Sequence, residues 1–279
     1  MIFYLTNDLR SLEEILFKAS QHLLKTYNVS LLDCFSTASL AMKIFRTKFM
    51  KKVEIPILPK FYDEILRKTY YGGVVNIFNP IGKNLYHSDV NSLYPWAMKK
   101  PMPGKFIKAQ YRDINIDLFF GFILAQVIIP KKVKIPYAPV KINDSLICPV
   151  GKIKGIFFSE ELKFFKKCGY KVITIYGYEH EKIYPFNDYI DHFYDKKIAK
   201  GGERYITKLL LNGLYGFFGR KPIEEIIEVV DQNKLDRILK RFDTRFTIEF
   251  DDSNYAIVKR DISPDLNLWH SQATPGCGL

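Results

Sequence analysis

Cysteine is scarce. The 279 residues hold four, Cys34, Cys148, Cys168 and Cys277, and no two form a CxxC pair. That scatter excludes a zinc ribbon and a disulfide framework, and it suits a reducing compartment. Long apolar runs are also missing. The most apolar stretch, Leu118 to Ile129, is closed by Asp117 and Pro130 and falls short of the roughly 20 residues that a membrane helix needs. No long basic amphipathic helix is present to lie on a membrane surface. The N-terminus, Met1 to Leu5, has no basic lead and no Arg-rich amphipathic stretch, so neither a signal peptide nor a transit peptide is expected. Acidic residues are in deficit: 30 Asp and Glu stand against 42 Lys and Arg, a net charge of +12. The surplus favours a polyanionic partner, nucleic acid or an anionic membrane surface, without choosing between them, and a merely solvated basic surface stays open. There is no internal repeat and no low-complexity segment.

What is present is a folding composition, 47% hydrophobic and 15% aromatic, which excludes disorder. Leu12, Ile15, Leu16, Ala19, Leu23 and Leu24 recur at helical spacing and predict a helix over 10–27. A second helix is expected over 36–49, a proline-containing linker over 53–59, and a third helix over 62–69. Alternation predicts strands at 74–78 and 84–90, turned by Asn79-Pro80-Ile81-Gly82. Strands should dominate from 119 to 150. Ser159-Glu160-Glu161 opens a helix that Gly169 stops. A long helical region over 186–218, broken at Gly201-Gly202, is followed by a short helix at 231–242 and a hairpin of 246–250 with 255–258. The last fifteen residues, from Asp265, lose all periodicity and read as a frame change or fusion scar.

Two segments carry chemistry. In Ser88-Asp89-Val90-Asn91-Ser92-Leu93-Tyr94-Pro95 a strand should deliver Asp89 to a sharp turn before a helix. A carboxylate there suits Mg²⁺, which takes one or two carboxylates plus substrate phosphates, and the turn offers backbone N–H groups to a triphosphate. The same Asp could instead be a buried cap of the helix. In the second segment Arg204, Lys208, Asn212 and Tyr215 are spaced by four, four and three, which aligns them on one helix face. Ile206, Leu209, Leu210, Leu214 and Phe217 should form the buried face. Such a polar line could contact phosphates and a base pair, or be an ordinary solvated face. Gly213 and Gly216, costly in a helix, point to close approach by another group.

Asp-x-x-Ser-Leu-Tyr-Pro followed by Lys-x-x-x-Asn-x-x-Tyr-Gly resembles motifs A and B of the family B DNA polymerases. Tyr70-Tyr71-Gly72-Gly73 resembles the Tyr-x-Gly-Gly segment that links exonuclease and polymerase domains, and Gly151 to Gly169 resembles the insert that holds the terminal protein in protein-primed members. With Ser36 to Arg46, the likeness is to polymerases of linear mitochondrial plasmids, and it runs from about residue 3 to about residue 260. It implies an α+β fold: a partial right-hand polymerase, palm sheet with helical fingers, preceded by the last helices of a 3′–5′ exonuclease domain. The implied divisions are 1–50 exonuclease remnant, 51–185 palm with motif A and insert, 186–222 fingers with motif B, 223–264 partial palm, and 265–279 unrelated tail.

By the same resemblance Asp89, with the Val90 carbonyl, would bind catalytic Mg²⁺ or Mn²⁺. Ser92 and Leu93 would lie against the triphosphate, and Tyr94 would be the steric gate against a ribose 2′-OH. Lys208 would hold phosphates of the dNTP, with Lys196 (or Lys197 or Lys200) and Arg204 assisting. Asn212 and Tyr215 would line the base-pair pocket. Tyr70, Gly72, Gly73 and Gly216 would meet the DNA template-primer. Tyr4 and Asp8 would be the remnant of an exonuclease motif, with one carboxylate where hydrolysis needs two metals. The family partner is a terminal protein, no membrane insertion is implied, and the implied location is the mitochondrion, encoded inside the organelle.

The sequence departs from the family at Ser88, where an aromatic is usual, and at Gly213, where Ser is usual. Above all it contains no Tyr-x-Asp-Thr-Asp, the motif C that completes the two-metal site. Phe250-Asp251-Asp252-Ser253 sits on the expected hairpin but lacks the alternate aspartates that point to one face. Loss of a metal-bridging carboxylate costs at least about a thousandfold in rate, so the chain is expected to be a DNA polymerase fragment, active only if another chain supplies motif C, or else an inactive remnant that at most binds nucleic acid.

Overall fold

The computed structural model describes residues 2–50, 54–143, 145–196, 202–220, 225–240, 246–251 and 254–261. The tail, Cys277, Lys197, Lys200, Asp252 and Ser253 lie outside them. Mixed helices and antiparallel sheets bear out the expected α+β class. Among the described residues no helix is long and apolar enough to cross a membrane.

Helix α1 spans Ile2–Tyr27, longer than its periodic part, and buries only its last turns through Leu23 and Tyr27. Helix α2, Thr37–Ile44, starts at Ser36, whose hydroxyl accepts from the Ser39 N–H while Ser39 Oγ accepts from the Ser36 N–H. It continues as a π turn, Phe45–Phe49. Residues 54–59 form no regular element, as their prolines demand. They are nonetheless anchored, because Ile55 and Leu58 are buried in two different cores. Helix α3, Lys60–Arg67, follows.

The expected strands at 74–78 and 84–90 do not form. Residues 71–90 have irregular, exposed backbone and pair with no described strand. Alternation marks a strand's faces but cannot supply the neighbour that its N–H and C=O groups require. Helix α4, Leu93–Met98, begins after Ser92, which has φ +57°.

The principal sheet comprises β1 (Met102–Tyr111), β2 (Gly121–Ile129), β5 (Gly151–Phe158) and β6 (Lys171–Ile183), in the antiparallel order β1-β6-β2-β5. A small hairpin, β3 (Val140–Ile142) with β4 (Ser145–Ile147), lies between β2 and β5 in the chain. The long strands β1 and β6 were not foreseen. On β2, Ile123, Ala125, Val127 and Ile129 point to one face and bury against Leu162 and Phe165 of helix α5, Ser159–Lys167. Gly169, at φ +80°, lets the chain leave that helix. Among the described residues the other face is sealed only at one end, where Leu58, Tyr62 and Leu66 cover Phe122 and Phe158. His180 ties this seal together. Its Nδ1–H donates to the Gly104 carbonyl at 2.9 Å, and the Tyr62 hydroxyl donates to its Nε2 at 2.7 Å. Burial lowers the His180 pKa and raises that of Tyr62, so both stay neutral.

Helices α6 (Asn187–Lys196) and α7 (Gly202–Phe218) bring Phe186, Tyr189, Phe193, Leu210, Leu214 and Phe218 into one core with α1, α2 and Met98. Strands β7 (Glu225–Asp231), β8 (Phe246–Asp251) and β9 (Tyr255–Asp261) form a second sheet in the order β7-β9-β8, covered by helix α8, Gln232–Leu239. The β8–β9 hairpin is the expected one. β7 was not foreseen, and Asp251 ends β8 beside the undescribed pair Asp252-Ser253.

Candidate functional site

Helix α7 presents the expected polar line: Arg204, Lys208 and Asn212 are exposed and Tyr215 is half-buried. Its buried stripe is Thr207, Leu210, Leu211, Leu214 and Phe218. The buried stripe is rotated from the expected one: Ile206 is exposed and Leu209 and Phe217 are only half-buried. Gly213 has a packing reason, since a Cβ there would sit 3.2 Å from Ala38 Cα and 3.4 Å from the Thr37 carbonyl of α2. Gly216 meets nothing within 4 Å and is exposed.

The short helix α4 packs against α7. Their contact brings Tyr94 onto Tyr215, with ring centroids 4.7 Å apart. Both rings line a cavity of about 550 Å³. Tyr71, Gly72, Gly73 and Val74 form a second wall, Leu93 and Ala97 the floor, and Glu160, Glu161 and Phe164 of α5 the far side with Tyr137. Five stretches separated in the sequence thus converge on one space. Nothing within 4 Å of Gly72 or Gly73 would meet a Cβ, so their openness belongs to the cavity and not to local crowding.

Asp89 is in irregular backbone four residues before α4, exposed, and no described residue pairs with it. It is thus neither at a strand tip nor a buried cap. Val90 is exposed beside it and Ser92 is half-buried. Asp89, Lys208, Asn212 and Arg204 are not among the cavity's lining residues. Lys196 ends α6, and its side chain is outside the described set. Tyr4 and Asp8 lie exposed on α1, remote in sequence from every cavity segment. No cluster of three or more acidic, His or Cys side chains that could hold a metal occurs among the described residues. The donors at hand, one carboxylate and one carbonyl, suit a single hard cation that completes its shell with water and phosphate oxygens.

A latch not foreseen from sequence joins these parts. Arg67, the last residue of α3, donates from Nε to Asp63 Oδ2 at 2.7 Å. Its Nη2 donates to the Arg220 carbonyl at 2.9 Å and its Nη1 to the Gly219 carbonyl at 3.4 Å. A guanidinium therefore sits on the two carbonyls just past the C-terminus of α7, near the negative end of the helix dipole. Asp63 is only 4% exposed, and its Oδ1 has no hydrogen-bond partner among the described residues. Tyr70 closes on Gly219 so tightly that a Cβ there would meet its hydroxyl oxygen at 2.5 Å. The i,i+4 spacing of Asp63 and Arg67 was a legible signal for the ion pair, but not for the carbonyls 152 and 153 residues away.

Glu161 is the other unforeseen participant. Its Oε2 accepts from the Phe158 N–H at 3.0 Å, while burial pushes its carboxyl up to about 7 from the usual 4.5. A carboxyl raised in the folded state favours the protonated form. Its stabilising effect is full below pH 4.5 and is lost as pH rises through about 7. Glu161→Gln should therefore raise the melting temperature more at pH 8 than at pH 5. Equal shifts at both pH values would show that the carboxyl is not buried in solution.

The profile of DNA polymerase type B, organellar and viral, matches residues 1–265. A probable DNA polymerase of Podospora anserina is 36% identical over 243 residues, covering 85% of this chain and 20% of that protein. One of Neurospora intermedia is 34% identical over 235 residues, covering 77% and 24%. A DNA polymerase of Bacillus phage Nf is 30% identical over 215 residues, covering 68% and 37%. Among solved structures, Phi29 DNA polymerase complexed with primer-template DNA and incoming nucleotide substrates superposes with TM-score 0.54 at 22% identity, over 72% of this chain and 38% of that one. At that identity the likeness is one of fold. The chain spans a fifth to a quarter of the two fungal relatives' length. With the family profile matched from residue 1 to residue 265, this chain belongs to the type B DNA polymerases of the organellar and viral group.

Proposed function

We propose that this chain carries the nucleotide-binding part of a protein-primed, DNA-directed DNA polymerase encoded in an organelle. The observation that supports it is the convergence of Tyr71-Gly72-Gly73, Leu93-Tyr94 and Tyr215 on one cavity, with the two tyrosine rings in contact. In this reading residues 1–50 derive from an exonuclease domain, 51–185 from the palm and its insert, 186–222 from the fingers and 223–264 from further palm. Tyr94 excludes a ribose 2′-OH. Lys208 and Arg204, with Lys196, attract the triphosphate, Ser92 and Leu93 lie against it, and Asn212 and Tyr215 flank the new base pair. Tyr70, Gly72, Gly73 and Gly216 face the template-primer. Asp89 and the Val90 carbonyl hold Mg²⁺ or Mn²⁺, which neutralises phosphate charge when bound. A terminal protein is the expected partner of the insert.

The 279 residues taken alone bind a dNTP but do not transfer it. Among the described residues the site has one metal-binding carboxylate, where two-metal phosphoryl transfer needs a bridging pair. Isothermal titration with Mg²⁺ and dNTP should therefore give binding that Lys208→Ala and Asp89→Ala each weaken by at least about tenfold, one charge-assisted contact apiece. Primer extension by the same chain should stay at background. Incorporation that disappears in Asp89→Ala would overturn the inactivity, and absence of any dNTP binding would overturn the nucleotide site.

A further inference from the structure

We propose that the uncovered part of the principal sheet's second face is a platform for single-stranded nucleic acid, with Lys152, Lys154 and Lys171 on its phosphates and Tyr111 with Tyr176 stacking a base. Residues directly opposite in register share a face. Lys152 and Lys171 both stand opposite Ile128, and Lys154 and Ile173 both stand opposite Gln126. In the next row Tyr176 is opposite Leu124 on one side and Tyr111 on the other. These rows lie on the face away from α5, beyond the end that α3 seals. They remain open: Ile173 is 40% and Tyr111 73% exposed. The rings of Tyr111 and Tyr176 are 5.1 Å apart, and Tyr176 is in turn braced edge-on by Tyr178 at 4.5 Å.

Charge decides the occupant. Lys163 and Lys166 of α5, on the covered face, are held by Glu160 and Asp117. Lys152, Lys154 and Lys171 have no carboxylate partner among the described residues, and none of the residues in register around them is acidic. Three cations lie beside an exposed apolar and aromatic floor. Strands of a sheet lie about 4.8 Å apart, so β5 with Lys152 and Lys154 is about 15 Å across the sheet from β1 with Tyr111, room for a short run of nucleotides. Phosphates meet the lysines and a base covers the tyrosine ring, a sequence-tolerant arrangement. An acidic peptide would use the lysines and leave the rings idle. The platform lies across the sheet from the α5 wall of the nucleotide cavity, and the proposal does not rest on that site.

The test uses the whole chain and an oligothymidylate carrying 5-iodouracil. Ultraviolet cross-links should map to Tyr111 or Tyr176 and persist in Lys208→Ala. Binding followed by fluorescence anisotropy should weaken at least about tenfold in Tyr111→Ala. In the triple variant Lys152→Gln, Lys154→Gln, Lys171→Gln the salt slope should fall by about 2, at roughly 0.7 per phosphate. Lys163→Gln with Lys166→Gln should change neither, and circular dichroism confirms that each surface variant is folded. Cross-links confined to Tyr71, Tyr94 or Tyr215 would overturn the proposal. So would an unchanged salt slope, or competition by poly-glutamate equal to that of oligothymidylate.

Discussion

Gly121→Ala should abolish the principal sheet. Gly121 has φ +148°, and a Cβ built there would stand 2.0 Å from the Tyr178 carbonyl oxygen and 3.2 Å from Glu179 Cα. Those are backbone atoms of the neighbouring strand, so no rotamer change can relieve the clash. The residue also opens β2, at the junction of both covered faces, where Phe122 enters one core and Ile123 the other. Separating β2 from β6 there exposes both. The expected cost exceeds about 4 kcal/mol, the range reserved for such local impossibilities. It is read as insoluble protein or loss of the cooperative denaturation transition. Gly216→Ala is the contrasting case. The site is helical and empty within 4 Å, so the change should stabilise the fold by up to about 1 kcal/mol. A Gly121→Ala chain that melts like the wild type would show that β2 and β6 do not approach as described.

The second large effect concerns Arg67. Arg67→Met leaves the buried Asp63 carboxylate without its cation, which costs about 3–5 kcal/mol, whereas replacing both partners by apolar groups is close to neutral. Asp63→Leu with Arg67→Met should therefore recover most of the stability in urea denaturation. It should not recover dNTP affinity. The Gly219 and Arg220 carbonyls remain uncapped, and the end of α7 is no longer held against Tyr70. A double variant that regains both stability and nucleotide binding would reduce the latch to an ordinary ion pair.

The helices were legible because each carries its own signal. Ser36 caps α2 and Gly169 ends α5. The hairpin of β8 and β9 was legible for the same local reason. The strands were less so. β6 contains Glu179, His180 and Glu181 and breaks alternation at a bulge beside Leu124 and Ala125, so its period is obscured. Residues 74–78 and 84–90 show the opposite failure: apolar, β-prone residues with no strand beside them. In the site, Tyr94 and Tyr215 were named from their motifs and do meet. Arg67, Glu161 and Phe164 were not, because each reaches the site only through contacts across long chain separations.

The linear order of residues by itself determined the polymerase ancestry, the basic surplus and the polar line of α7, since motif spacing, net charge and helical periodicity are properties of the chain. Tertiary structure alone decided which face of α7 is buried, that Asp89 lies in open irregular backbone, and that α5 walls the cavity beside Tyr94. Those outcomes depend on which surfaces find partners. Burial and strand pairing are energies between segments, and no single segment encodes them.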